Sequence, residues 1–269
     1  MTPTKMERKI MSNKSITPGK GREIIKPSDF KRGVVEAKSE SCSKYLVTFT
    51  EIAMNHAKHL LENVEIKAKC THVYQAFVGE YQGEKIYVLN PYFGAPASVF
   101  ALELAIASGG KRFLVVGEAG AIKTGVNIGD VILPTWALRE EGTSYHYMPP
   151  DYIPKPSERL FNALKKEVKR QTGKENINVF EGGIWTTDAS FRETEDKVRE
   201  YSKRGILGVE MESSALMSVA KFRDVNLAVA LAVSDELYRE RWNPGFDSKS
   251  LRKTEEILIK AALDVLISI

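Results

Sequence analysis

The sequence predicts a single α/β domain, and three features carry that expectation. Short apolar runs bounded by Gly or Pro alternate with stretches at helical spacing from about Tyr45 to Ile267. Two of the runs, Phe113–Gly117 and Leu227–Val233, are apolar throughout, as strands covered on both faces must be. Beyond residue 40 no internal repeat or shift of composition divides the chain.

Taken in order, Tyr45-Leu46-Val47-Thr48-Phe49-Thr50 reads as a buried strand, and a helix follows over Glu51–Leu61. Strand-like runs at Thr71–Gly79 and Lys85–Asn90 flank Gln82-Gly83, a hairpin turn. Pro96 opens an apolar helix through Ile106, which Gly109-Gly110 end. Phe113–Gly117 is the next strand. Val131–Leu133 follows, introduced by Gly129-Asp130 and closed by Pro134. A polar loop at Arg139–Pro154 leads to a helix at Ser157–Thr172. Strands near Ile177–Trp185 and Val225–Val233 flank helices near Glu193–Lys203 and Met211–Phe222, and an amphipathic helix spans Lys249–Ile267.

With 269 residues, 43% of them hydrophobic and 28% charged, the chain can bury a sizeable core under a well-solvated surface. The net charge of +4 is mild and sits mostly at the front, where residues 1–35 hold nine Lys or Arg against three acids. Residues 1–40 therefore read as a basic extension and 41–269 as the domain. Such a tail can meet nucleic acid or membrane, but a solvated arm is the simpler reading, and the near-neutral remainder excludes a nucleic-acid groove. Two cysteines, Cys42 and Cys70, are too few for a disulfide framework. No run approaches the roughly 18 apolar residues of a membrane span. A cytoplasmic protein without membrane or nucleic-acid partners is expected. His56 and His59 stand i, i+3 on a helix but lack a third ligand, so no metal is expected.

Three segments carry chemistry, each at the carboxyl end of a predicted strand, where open α/β sheets bind ligands. Gly117-Glu118-Ala119-Gly120-Ala121 is small enough for a ligand to approach the backbone, or is simply a tight turn. Gly208-Val209-Glu210-Met211-Glu212-Ser213 places two carboxyls around a methionine where a strand yields to a helix. If the strand continues, Glu210 and Glu212 share a face. Carboxylates accept from vicinal sugar hydroxyls, and a methionine makes an apolar floor for the ring. Val233-Ser234-Asp235-Glu236 ends the last run. Asp235 is there either a plain helix cap or a general acid with a raised pKa.

In this order and at these spacings, the three segments resemble the nucleoside phosphorylase superfamily over roughly residues 44–268. Gly129-Asp130-Val131-Ile132 adds to the likeness, and Arg139–Tyr147 is similar to a stretch of uridine phosphorylases. The resemblance implies a three-layer αβα sandwich around a mixed sheet, assembled as a homo-oligomer, hexamer or dimer. It implies cleavage of an N-glycosidic bond with no cofactor and phosphate as a possible co-substrate. By residue, Glu212 would bind the ribose hydroxyls, Met211 would pack on the sugar, and Glu210 would support that wall. Ala119 and Gly120 would lie beside the base and Phe191 would stack on it. Asp235 would protonate a purine, whereas the Arg139–Tyr147 loop leans towards uridine.

The sequence departs from the family at the phosphate. The first strand ends Phe49-Thr50-Glu51 without the family's Gly-Asp-Pro turn, Val115 replaces an arginine, and Glu118 replaces a hydroxyl. A carboxylate about 4 Å from a phosphate charge costs on the order of 4 kcal/mol at intermediate dielectric. Water is the expected alternative nucleophile, with Glu51 or Glu118 as its general base. The competing expectation is a nucleoside-binding or storage protein without catalysis.

Overall fold

A computed structural model describes residues 17–30, 43–70 and 74–269. Ten strands form one mixed sheet in the order β10-β9-β6-β7-β8-β5-β1-β4-β3-β2. They are β1 Lys44–Thr48, β2 Glu62–Cys70, β3 Tyr74–Tyr81, β4 Glu84–Pro91, β5 Arg112–Ala121, β6 Val131–Glu140, β7 Val179–Thr187, β8 Ile206–Glu210, β9 Asn226–Glu236 and β10 Asn243–Pro244. β9 also pairs with β5, so β5, β9, β6, β7 and β8 close into a ring. Helices α2 (Ala95–Ala107) and α5 (Ser213–Phe222) cover one face of the sheet. Helices α1 (Glu51–Leu60), α3 (Glu158–Thr172) and α6 (Lys249–Ser268) cover the other. Helix α4 (Glu195–Lys203) closes a smaller core around Trp185. The architecture is the expected αβα arrangement around a mixed sheet.

The apolar runs became strands because each sits between two helical layers. Leu46, Leu114 and Ala228 face one core, while Tyr45, Phe113 and Leu227 face the other. Gln82-Gly83 makes the hairpin between β3 and β4, with both residues at positive φ.

Four local expectations are corrected. Gly117–Ala121 is no turn: β5 runs through it, paired with β9 on one side and β8 on the other, and a register shift at Ala119/Gly120 absorbs the irregularity. Pro134 does not close β6, which continues to Glu140. Its missing N–H falls beside a register shift against β7, between Pro134 and Trp136. The strand before Glu212 stops at Glu210, so the two acids do not share a strand face. β2 was not expected at all. It pairs antiparallel with β3 at the sheet edge, and its run Glu62-Asn63-Val64-Glu65-Ile66 mixes charge with exposed apolar side chains.

Of the stretch read as a solvated arm, residues 17–30 lie against α2. Phe30 meets Phe100 edge to face at 5.4 Å. Arg223 pairs with Glu23 and with Glu103 of α2, each at 2.8 Å. Residues 1–16 and 31–42, and with them Cys42, lie outside the described residues. Among the described residues no helix is long and apolar enough to cross a membrane.

Arg139 organises the long loop after β6. Its buried guanidinium donates to Ser144 Oγ at 2.8 Å, Pro149 O at 2.7 Å, Met148 O at 3.1 Å and Tyr152 O at 3.2 Å. It also stacks 3.9 Å from the Tyr145 ring centroid. This stretch therefore has a structural reason to look distinctive. Replacing Arg139 by Ala leaves three carbonyls short of donors and is expected to cost about 3 kcal/mol in chemical denaturation; Arg139→Lys, lacking the fork, should recover only part of that.

Candidate active site

A cavity of about 810 Å³ opens at the carboxyl ends of β1, β5, β8 and β9. The three segments singled out above all reach it. Glu118, Ala119 and Gly120 come from β5, Glu210, Met211 and Glu212 from the β8–α5 junction, and Ser234 and Asp235 from β9.

The β8–α5 junction is built around Glu210, which is 7% exposed. Oε2 accepts the backbone N–H of Glu212 at 2.8 Å and of Ser213 at 2.7 Å, while Thr186 Oγ1 donates to Oε1 at 2.5 Å. Two otherwise unpaired amides at the start of α5 are thereby satisfied. Burial pushes the Glu210 carboxyl up and those donors pull it down. Glu212 stands as the residue before α5, with its side chain turned back to accept the N–H of Gly94 at 2.5 Å. Gly94, at φ +102, precedes α2 in a conformation that L side chains rarely adopt. The ribose candidate is thus tied to the starts of two helices. Burial, then the charge of Glu210, raises its pKa.

At Gly120 the close approach is made by protein. A Cβ there would lie 2.4 Å from Leu237 Cδ1 and about 3 Å from both Asp235 carboxylate oxygens. Gly120 is therefore what lets β9 deliver Asp235 to the cavity.

Glu118 faces a second carboxyl that the motifs did not reveal. Glu255 of α6 is 1% exposed, pairs with Arg252 at 2.9 Å and accepts from Thr50 Oγ1 at 3.3 Å. Burial, then the hydrogen bond and charge of Glu255, lifts Glu118 to about 8, against a smaller opposing pull from Arg252. Glu118 is consequently protonated at neutral pH. The repulsion of phosphate by an ionised Glu118, reasoned from the sequence, does not apply in that simple form. A different obstacle replaces it. Seven carboxyl side chains line the cavity: Glu118, Glu193, Glu195, Glu210, Glu212, Asp235 and Glu240. Arg239 is the one cation among the described lining residues, and it is held by Glu236.

One expected site residue, Glu51, sits elsewhere and does not line the cavity. Thr50 caps α1 by accepting from Ala53 N at 3.1 Å, and this turn throws the first helical side chain outwards into solvent. Phe191 lines the mouth of the cavity and is 100% exposed. Glu193, Trp242 and Glu255 were missed. Only Glu255 left a sequence signal: an acid i+4 from Leu251 and i−4 from Ile259, inside the apolar stripe of α6.

The chain is similar to known proteins in sequence and in fold. The model of the phosphorylase superfamily matches residues 46–266. DeoD-type purine nucleoside phosphorylases of Bacillus thuringiensis (strain Al Hakam) and Bacillus mycoides (strain KBAB4) are each 32% identical over 193 residues, covering 71% of this chain and 79% of theirs. The crystal structure of uridine phosphorylase from Vibrio fischeri ES114 superposes with a TM-score of 0.77 at 26% identity, covering 89% of this chain and 99% of that one. A purine nucleoside phosphorylase from Toxoplasma gondii in complex with immucillin-H shares the fold at 19% identity, with a TM-score of 0.74 over 83% of this chain and 90% of its own.

Replacing Glu210 by Gln exchanges one acceptor oxygen for an amide donor, so at least one buried donor loses its partner. A stability loss of about 1–3 kcal/mol in urea unfolding is expected. Nucleoside affinity should fall with it, because the Glu212 backbone is what Glu210 holds.

Proposed function

The chain belongs to the phosphorylase superfamily, the nucleoside phosphorylase enzymes, and from that premise we propose that it cleaves the N-glycosidic bond of a purine nucleoside with water as the attacking group. The observation that supports water most directly is the charge of the cavity: seven carboxyl groups line it, and its arginine is already ion-paired. A phosphate dianion there meets no free guanidinium fork. Water needs only a base, and Glu118 stands at the cavity wall with Glu255 and Arg252 behind it.

In this reading Glu212 accepts from the ribose hydroxyls and Met211 lies against the sugar. As the C–N bond lengthens, the ribosyl group gains oxocarbenium character, and surrounding carboxylates stabilise it electrostatically. Glu118, once ionised, takes a proton from the attacking water. Asp235 and Glu193, which line the same cavity, are assigned to the departing base, which favours a purine, whose ring nitrogens leave more readily when protonated. The DeoD-type relatives bear purine nucleoside phosphorylase in their name, and the Vibrio fischeri structure is of a uridine phosphorylase. The purine assignment therefore rests on the carboxyl pair.

One observation favours phosphorolysis instead. A protonated Glu118 can donate a hydrogen bond to a phosphate oxygen. The two readings differ in sign. A base must be ionised, so hydrolysis rises as pH increases through about 8; a donor must be protonated, so phosphorolysis falls over the same range. Release of base from inosine, adenosine, guanosine and uridine, measured with and without phosphate, is expected to be purine-selective and unchanged by phosphate. Strict phosphate dependence would overturn the hydrolytic reading. Glu118→Gln should lower kcat by about 10²- to 10⁴-fold while leaving KM within a few-fold.

A homo-oligomer, hexamer or dimer, is part of the same proposal. Phe93, Phe191 and Trp242 expose aromatic surface around the cavity mouth, which association of copies would cover. Light scattering on the purified chain should return a mass of at least two copies.

A further inference from the structure

Three amides at the start of α5 are taken by side chains. Those of Glu212 and Ser213 go to Glu210 Oε2, and that of Ser214 goes to Thr186 Oγ1 at 3.0 Å. Thr186 has one hydroxyl proton and gives it to Glu210 Oε1, so towards Ser214 its oxygen can only accept. The turn of backbone that carries Glu212 is therefore gripped by Glu210 and Thr186 together.

A buried acid holds the same turn from the other side, and the reaction described above makes no use of it. Glu141 follows the end of β6 and does not line the cavity. Its Oε1 accepts the Ser214 hydroxyl at 2.8 Å and its Oε2 accepts the Ser144 N–H at 2.9 Å. Ser144 Oγ in turn accepts from Arg139, the organiser of the long loop. The neighbouring Glu140 serves different partners, namely Trp185, Lys197 and Tyr201. An unbroken series of hydrogen bonds thus runs from Arg139 through Ser144, Glu141, Ser214 and Thr186 to Glu210. Every one of these side chains belongs to a buried residue, so a lost link leaves a polar group without a partner and the turn free to shift.

We propose that Glu141 is a positioning residue for sugar recognition: anchored on the Arg139 loop, it fixes the first turn of α5, and with it the carboxyl of Glu212. The assignment rests on the reading in which Glu212 accepts from the ribose hydroxyls. It gives the Arg139–Tyr147 stretch a role beyond its own folding, as the support against which the sugar wall is set. Glu141 touches no substrate, so its effect is one of placement, and a small displacement of a binding group is costly in rate.

The test compares sugars. A loss of stability lowers all activities alike, whereas a displaced Glu212 is felt only where hydroxyls are present. The ratio of kcat/KM for the best nucleoside substrate to that for its 2′,3′-dideoxy analogue is measured below the unfolding temperature of each protein. Glu141→Gln keeps an oxygen for the Ser144 N–H but turns an amide NH₂ towards Ser214, and Ser214→Ala removes the hydroxyl that Glu141 accepts. Each should contract the ratio by about 10- to 10²-fold, and the double variant should contract it no further, because both changes cut one link. Val168→Ala, a fully buried change on α3 away from the cavity, should lower Tm and leave the ratio at the wild-type value. An unchanged ratio in Glu141→Gln, additive losses in the double variant, or an equal contraction in Val168→Ala would overturn the assignment. A wild type that treats the two sugars alike would overturn it too. Failure of the wild type to cleave any nucleoside defeats the cleavage reading instead. Calorimetric dissociation constants for the same two sugars then give the ratio without turnover, and the same outcomes decide the role of Glu141.

Discussion

The site depends on the parallel pairing of β5 with β9 and on the absence of a side chain at Gly120. The two strands run together from Arg112 opposite Asn226 to Ala121 opposite Glu236. At the register shift after Ala119, a Cβ on residue 120 would meet Leu237 Cδ1 at 2.4 Å and crowd the Asp235 carboxylate at 3.0 Å. That close approach brings two carboxyls, Glu118 and Asp235, from adjacent strands into one cavity. Everything else in the site is placed relative to this pair of strands. β8 docks on the end of β5 and carries Glu210, Glu210 holds the start of α5, and the β9–β10 hairpin brings Trp242 back over Asp235.

The resulting cavity sorts its carboxyl groups by their neighbours. Glu210 is surrounded by donors and serves the backbone. Glu212 accepts the N–H of Gly94 with one oxygen and lines the cavity. Asp235 accepts from Ser234 on one oxygen and from Trp242 on the other. Glu118, Glu193 and Glu212 are all pushed towards the protonated form, by burial first and then by a neighbouring acid: Glu255, Asp235 and Glu210 respectively. Similar side chains thus acquire different work from packing. Charge balance at the Glu118 end comes from Arg252, which stands one turn before Glu255 on the same helix.

Much of the frame was legible because its signals are local. The apolar strands, the Gln82-Gly83 hairpin, the Pro96 helix start and the long C-terminal helix all follow from side-chain periodicity and turn chemistry. Errors arose where a residue with a strong local preference met a tertiary demand. Gly117–Ala121 looks like a turn until β8 and β9 pair with it from both sides. Pro134 looks like a terminator until β7 pairs with β6 on past it, beside a register shift. Glu51 follows directly after a strand end and looked poised over the site, but Thr50 capping turns it outwards.

By itself the sequence determined the fold class, the order of most elements and the three segments that converge, since each depends on residues near one another in the chain. It also singled out Glu210-Met211-Glu212, which the structure brings to the cavity wall. Only the tertiary structure decided which carboxyl does what. Glu255 lies 137 positions from Glu118, Trp242 acts across a hairpin, and Glu193 is raised by burial and then by Asp235, 42 positions away. A carboxyl's protonation is set by burial and by charges within a few ångströms. Those neighbours come from distant parts of the chain, so no local pattern of residues records them.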